Sequence, residues 1–301
     1  MRLTSRIPNG WAALLAAAGV LFAGLGVASA MRDEEGRASA GLTAEQPDRM
    51  VVSTQWLAAN LHDPDVAVIA TGDRDQFDRG HIPDASFVEH MDTLGPDHRL
   101  LEPARLAEVL ARKGAGDDRR IVLYGDHAMS TGWLYMAFAS LGHADNVSVL
   151  SGNIEAWREE GRTMSTAAVS PRPGRLTVKP APDVIVTAPW VRDRLENPAV
   201  KIIDARTDRE WNQGRLPGAT LVLWQDLFED LNTLRFKPRG EIRALLAGAG
   251  VKPDQQVVTY CAIGMRASLM YFAARYAGYD GRVYVGSWED WSRQPGYPIV
   301  R

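Results

Sequence analysis

The chain has 301 residues, room for two ordinary domains, and is 46% hydrophobic and 24% charged, the balance of a folded chain rather than a disordered one. Its formal net charge of −3 leaves no basic footprint, so no nucleic-acid partner is expected. One cysteine and six scattered histidines show no metal-ligand spacing, so no metal is expected.

The N-terminus reads "MRLTSRIPNGWAALLAAAGVLFAGLGVASA". Arg2 and Arg6 make a basic start, an apolar stretch runs from Trp11 to Val27, and Ala28-Ser29-Ala30 fits a small-x-small cleavage site. A signal peptide over 1–30, cleaved after Ala30, is the expectation, with a periplasmic mature protein. The alternative is an uncleaved anchor facing the periplasm, since the apolar run is close to spanning length. Either way the membrane is touched only through this segment. Residues 31–48 are small and polar and read as a flexible tether.

From residue 49 the chain repeats itself. "ATGDRDQFDRGHIPDASFV" from Ala70 lies on "DARTDREWNQGRLPGATLV" from Asp204, so that Phe77 meets Trp211, Gly80 meets Gly214 and Pro83 meets Pro217, at a constant offset of 134. "IVLYGDHAMSTGWLYMAFASLGH" from Ile121 lies on "VVTYCAIGMRASLMYFAARYAGY" from Val257, and "GNIEAW" (152–157) on "GSWEDW" (286–291). Three matches in one order point to duplication of a domain.

In the first half, "VAVIA" (66–70), "RIVLYG" (120–125) and "VSVL" (147–150) read as buried strands. The proline-heavy segment 169–183 is the expected linker, dividing a first domain over 49–168 from a second over 184–301. The second half continues with strands at 200–205, 256–261 and 282–286, and helices at 239–250 and 266–278. Gly250 and Gly278 stand where helix stops are expected. Alternating strands and helices imply an α/β fold in each half, a parallel sheet with helices on both faces.

The lone cysteine sits in "TYCAIGMRAS" (259–268), between a predicted strand and a predicted helix. An odd cysteine in an exported chain means intermolecular pairing or a free reactive thiol. The carboxyl edge of an open α/β sheet is where ligands bind. A tight turn leading into a helix aims backbone N–H groups inward and makes an anion-binding nest. Gly264 permits the close backbone approach and Arg266 adds a positive charge. Such a ring of donors favours a thiolate, the nucleophilic form, at Cys261.

"CAIGMRAS" resembles the active-site loop of the rhodanese superfamily of sulfurtransferases, Cys-x-x-Gly-x-(Arg/Thr/Ser)-(Ala/Ser). "DAR" (204–206), "GRLPGA" (214–219) and "GSWEDW" (286–291) resemble that family's other landmarks in the same order. The resemblance covers about 49–301 and implies two tandem rhodanese-like domains, the first inactive and the second catalytic. The duplication agrees: Cys261 is matched by Gly125, Arg266 by Ser130, and Asp204-Ala205-Arg206 by Ala70-Thr71-Gly72.

The resemblance further implies that Cys261 takes the outer sulfur of a small anionic donor, such as thiosulfate or 3-mercaptopyruvate. The resulting persulfide would be held by loop amides from Ala262, Ile263, Gly264 and Met265 to Arg266. A thiophilic acceptor, cyanide or a thiol, would then remove the sulfur, without metal or organic cofactor. It assigns Arg206 to the donor's anionic end, its bland alternative being a pairing with Asp208 or Glu210. Asp204 would hold Arg266 or orient the loop, or else cap local backbone donors. Thiosulfate users often carry basic residues where this chain has Ala262 and Ile263, and mercaptopyruvate users carry Gly-Ser-Gly-Val-Thr where it has "AIGMR". The donor could therefore be another sulfane compound or a partner protein's persulfide. A persulfide carrier or thiol sensor without turnover is the main rival. Phosphatase or arsenate reductase chemistry is weaker, because four residues, not five, separate Cys261 from Arg266.

Overall fold

The computed structural model describes residues 49–301 apart from 97, 98, 180 and 182. The expected signal peptide and tether lie outside the described residues. In the first half, β1 (Val51–Val52), β2 (Val66–Thr71), β3 (Ser86–Phe87), β4 (Arg120–Gly125) and β5 (Val147–Leu150) form a parallel sheet in the order β1-β5-β4-β2-β3. In the second, β6 (Val200–Asp204) and β7 (Thr220–Leu221) precede an antiparallel ribbon of β8 (Phe228–Asp230) and β9 (Arg235–Phe236). β10 (Gln256–Tyr260) and β11 (Asp280–Val283) complete a parallel sheet in the order β11-β10-β6-β7.

Successive side chains of a strand point to opposite faces, and these strands are apolar on both. Ile121 and Leu123 join the layer of the helices Pro103–Arg112 and Ala128–Ser140. Val122 and Tyr124 join the opposite layer, with Leu57 of Thr54–Asn60 and Trp157 of Asn153–Glu159. In the second half Val257 packs with the helices Arg239–Gly248 and Met265–Tyr276, while Val258 and Tyr260 pack with Val191 and Trp291. Both sheets thus carry helices on both faces, as the alternation of strand and helix predicts.

One core layer is common to the halves. The helices Ala128–Ser140 and Met265–Tyr276 contribute to the same buried cluster, and Tyr135 meets Phe272 edge-on with ring centroids 4.8 Å apart. Their approach depends on Gly132, where a Cβ would lie 2.5 Å from the Leu269 Cα. The β8–β9 ribbon also reaches the first half: Phe236 N donates to Ser151 Oγ at 3.2 Å, and Arg235 pairs with Glu160 at 2.9 Å. The linker is strapped down rather than free. Gly174 N donates to Ala111 O at 2.9 Å and Arg119 grips the Arg172 carbonyl at 2.8 Å.

Three predicted strands end early. β6 stops at Asp204, β10 at Tyr260 and β11 at Val283, the last ladder pairs being Tyr260 with Asp204 and Thr259 with Val283. Beyond them the chain turns, with Ser287 at φ 54° opening the helix Ser287–Trp291. The Cys261 N–H leaves the ladder for the Ser287 hydroxyl at 3.1 Å.

Candidate active site

Parallel strands end at one edge. Because Tyr260 stands in register with Asp204, the segments after β6, β10 and β11 meet there. Cys261 is the first residue past β10 and is 0% exposed. Its sulfur is not enclosed by hydrocarbon alone: the Gly264 N–H points at Sγ from 3.1 Å, and the Ser287 Oγ lies 4.0 Å away. Ser287 also accepts from Cys261 N and donates to the Tyr284 carbonyl at 2.9 Å. The loop carbonyls face the next helix, Cys261 O accepting from Trp288 N at 2.9 Å and Ala262 O from Glu289 N at 3.0 Å.

Gly264 makes this turn possible. Its φ of 98° is left-handed, and a Cβ would lie 2.7 Å from the Val285 carbonyl oxygen. It caps the helix Met265–Tyr276, whose start is tied back by Ser268 N and Oγ to the Gly264 carbonyl, both at 2.9 Å. Ala262, Met265 and Arg266 are half-buried, and Ile263 stands out at the tip, 60% exposed.

The charged groups pair differently from the sequence expectation. Arg206 does not face an entering anion: it is 1% exposed, and its guanidinium is taken by Asp204 Oδ1 at 3.0 Å, by Asp204 Oδ2 at 2.7 Å and by the Gly214 carbonyl at 2.7 Å. The guanidinium also lies 4.7 Å from the Trp288 ring centre. Asp204 does not hold Arg266. It accepts from Arg206, from the Arg206 N–H and from the Tyr260 hydroxyl. The chain bends just past β6, and the Arg206 N–H turning back onto Asp204 Oδ1 at 2.9 Å sets the two side chains together. Burial, then the Asp204 charge, pushes Tyr260 well above its ordinary value, so it stays protonated and donates.

Arg266 is held instead by Glu210, Nη1 on Oε2 and Nη2 on Oε1, both at 2.7 Å. Those bonds raise Arg266 above its ordinary value, with the Cys261 sulfur adding to the rise. Arg266, then Thr207, holds the Glu210 carboxyl down at about 2. Thr207 is the N-cap of the helix Asp208–Gln213 and exchanges bonds with Glu210 in a capping box.

Glu210 and Ser287 are site residues that the motif reading did not select. Each left a signal: Thr-x-x-Glu at 207–210 is a capping-box pattern, and Ser287 lies on Asn153 in the repeat. Asn153 too has positive φ, 47°, and its Oδ1 accepts from Gly125 N at 3.2 Å. In the first half the frame is kept around a glycine, and a Cβ at Gly125 would lie 2.5 Å from the Thr71 carbonyl oxygen.

Comparison with known proteins agrees with this duplication. The family model for the rhodanese-like domain matches residues 53–160 and 187–294. The sulfur carrier protein TtuD of Thermus thermophilus is 31% identical over 84% of this chain and 96% of its own length. A probable 3-mercaptopyruvate sulfurtransferase of Pseudomonas aeruginosa is 29% identical over 83% and 97%. Among solved structures, the 3-mercaptopyruvate sulfurtransferase SseA of Escherichia coli shares the fold, with a TM-score of 0.68 and 23% identity over 79% of this chain and 98% of its own. With both halves matched in sequence and the second keeping its cysteine loop, the chain belongs to the rhodanese-like family and is a sulfurtransferase.

Proposed function

We propose that the chain moves a sulfane sulfur from a small anionic donor, of the thiosulfate or 3-mercaptopyruvate type, through a Cys261 persulfide to cyanide or a thiol. In the first step the Cys261 thiolate attacks the donor's outer sulfur. The S–S bond of thiosulfate breaks and sulfite leaves, or the C–S bond of mercaptopyruvate breaks and pyruvate enolate leaves. In the second step the acceptor attacks the terminal sulfur of Cys261–S–S⁻ and the thiolate returns, a ping-pong covalent cycle. The observation that carries this reading is the Gly264 N–H aimed at Sγ from 3.1 Å, with Arg266 clamped beside it. A donor fixed in place before the charge arrives stabilises that charge without reorganising.

A second reading is a persulfide carrier that hands its sulfur to a partner protein; the similarity to a protein named as a sulfur carrier favours it. Export to the periplasm is supported by the basic start, the apolar run and Ala28-Ser29-Ala30. Intact mass spectrometry after thiosulfate or mercaptopyruvate tests the main proposal. The expected result is a gain of one sulfur atom, absent in Cys261→Ser, with thiocyanate formed on adding cyanide. Uptake without turnover favours the carrier, and no uptake from either donor overturns the proposal. The same spectrum, on protein from the periplasmic fraction, reports export through a mature chain beginning at Met31.

A further inference from the structure

Donors of the proposed kind are anions, and an anion is ordinarily drawn in by unpaired positive charge. Here the arginines beside the cysteine are both compensated. Arg206 is paired with Asp204 and fully buried. Arg266, the cation at Cys261, is bidentate to Glu210. Between Cys261 and Arg266 the loop residues Ala262, Ile263, Gly264 and Met265 carry no charge. The helix after β11 adds Glu289, paired with Arg293 at 2.8 Å, and Asp290, which accepts from the Tyr284 hydroxyl at 2.7 Å. On the helix that carries Glu210, Asp208 and Arg209 are exposed to solvent.

We propose that Glu210 is a specificity-determining residue for the transfer: by neutralising Arg266 it removes uncompensated positive charge from the site and disfavours dianions relative to monoanionic and neutral reactants. This rests on the sulfur-transfer reading above. Two features fit Glu210 for it. The capping box pins the carboxylate, with Thr207 Oγ1 at 2.7 Å and Thr207 N at 3.0 Å on the same oxygen. The pair is also sheltered, the Arg266 and Glu210 side chains being 17% and 29% exposed, and a partly buried pair is screened by salt less than an open one.

The test is the rate of Cys261 alkylation by iodoacetate, an anion, against iodoacetamide, its neutral analogue. The ratio of rates is normalised to that of free cysteine and measured in the wild type, Glu210→Gln and Glu210→Asp. Glutamine also serves in a capping box, so the first substitution removes charge and leaves the cap. In Glu210→Gln the ratio should rise severalfold, since an uncompensated unit charge is felt within a Debye length, about 10 Å at 0.1 M salt. The rise should collapse near 1 M salt, where the Debye length is about 3 Å. Glu210→Asp should stay within about twofold of the wild type. A Glu210→Gln ratio equal to that of the wild type, in protein that still takes up sulfur, overturns this proposal alone. Should Glu210→Gln fail to fold, the wild type decides: a ratio flat with salt supports compensation, and one falling steeply with salt overturns it. No alkylation of the folded protein by either reagent overturns the sulfur-transfer reading as well.

Discussion

Gly264 does two jobs that no other residue type can share. It takes a left-handed φ and presents its N–H to the sulfur where the Val285 carbonyl leaves no room for a Cβ. Gly264→Ala should therefore shift the amide away from Sγ. Removing one such donor in other enzymes costs about 10²- to 10³-fold in rate, so sulfur uptake should slow by roughly 100-fold. Strain of this kind costs about 1–3 kcal/mol, which thermal unfolding would register as a lower midpoint. Uptake at the wild-type rate would remove the amide from the mechanism. Cys261, Gly264 and Arg266 were legible because the chemistry of a thiolate nest requires those residue types at that spacing. The partners of the arginines were not. Asp204 and Asp208 stand equally near Arg206 along the chain, and only the bend after β6, which turns the Arg206 N–H back onto Asp204, decides between them.

The helix Asp208–Gln213 is only 6 residues long, yet its first turn governs the site. Its capping box fixes Glu210, and Glu210 fixes Arg266. Because the folded carboxyl lies at about 2, below its ordinary 4.5, the clamp contributes stability that is fully present above the unfolded value. That contribution is lost as pH falls through the folded one. The midpoint difference between the wild type and Glu210→Gln should hence be constant above about pH 5, shrink below about 4.5, and approach zero near 2. Thermal unfolding across that range checks it, and a difference independent of pH would mean the carboxylate charge is not what stabilises the clamp. The longer elements were readable from runs of apolar residues. The two-residue strands β1, β3, β7 and β9 were not, since so few residues carry no period.

The halves are joined through a shared core, and the helix Met265–Tyr276, which follows the cysteine loop, is one wall of it. Its neighbour Ala128–Ser140 belongs to the half that lacks the cysteine, so that half supports the loop by packing. Gly132→Ala places a methyl group 2.5 Å from the Leu269 Cα. Overpacking of this kind costs about 1–3 kcal/mol, which in a body of this size lowers the midpoint by about 2–4 °C for each kcal/mol. Because Leu269 lies on the helix that Gly264 caps, sulfur uptake should fall with it. A lowered midpoint with unchanged uptake would show that the loop keeps its geometry independently of the interface. Apolar periodicity, the repeat and the cysteine loop by themselves determined the tandem α/β fold and where the proposed nucleophile stands, because those depend on local conformation and on burial. Which carboxylate meets which arginine, and how deeply Cys261 lies, was decided only in three dimensions. The Arg266–Glu210 contact joins the helices Met265–Tyr276 and Asp208–Gln213 across 56 residues, and order along the chain says nothing of distance in space.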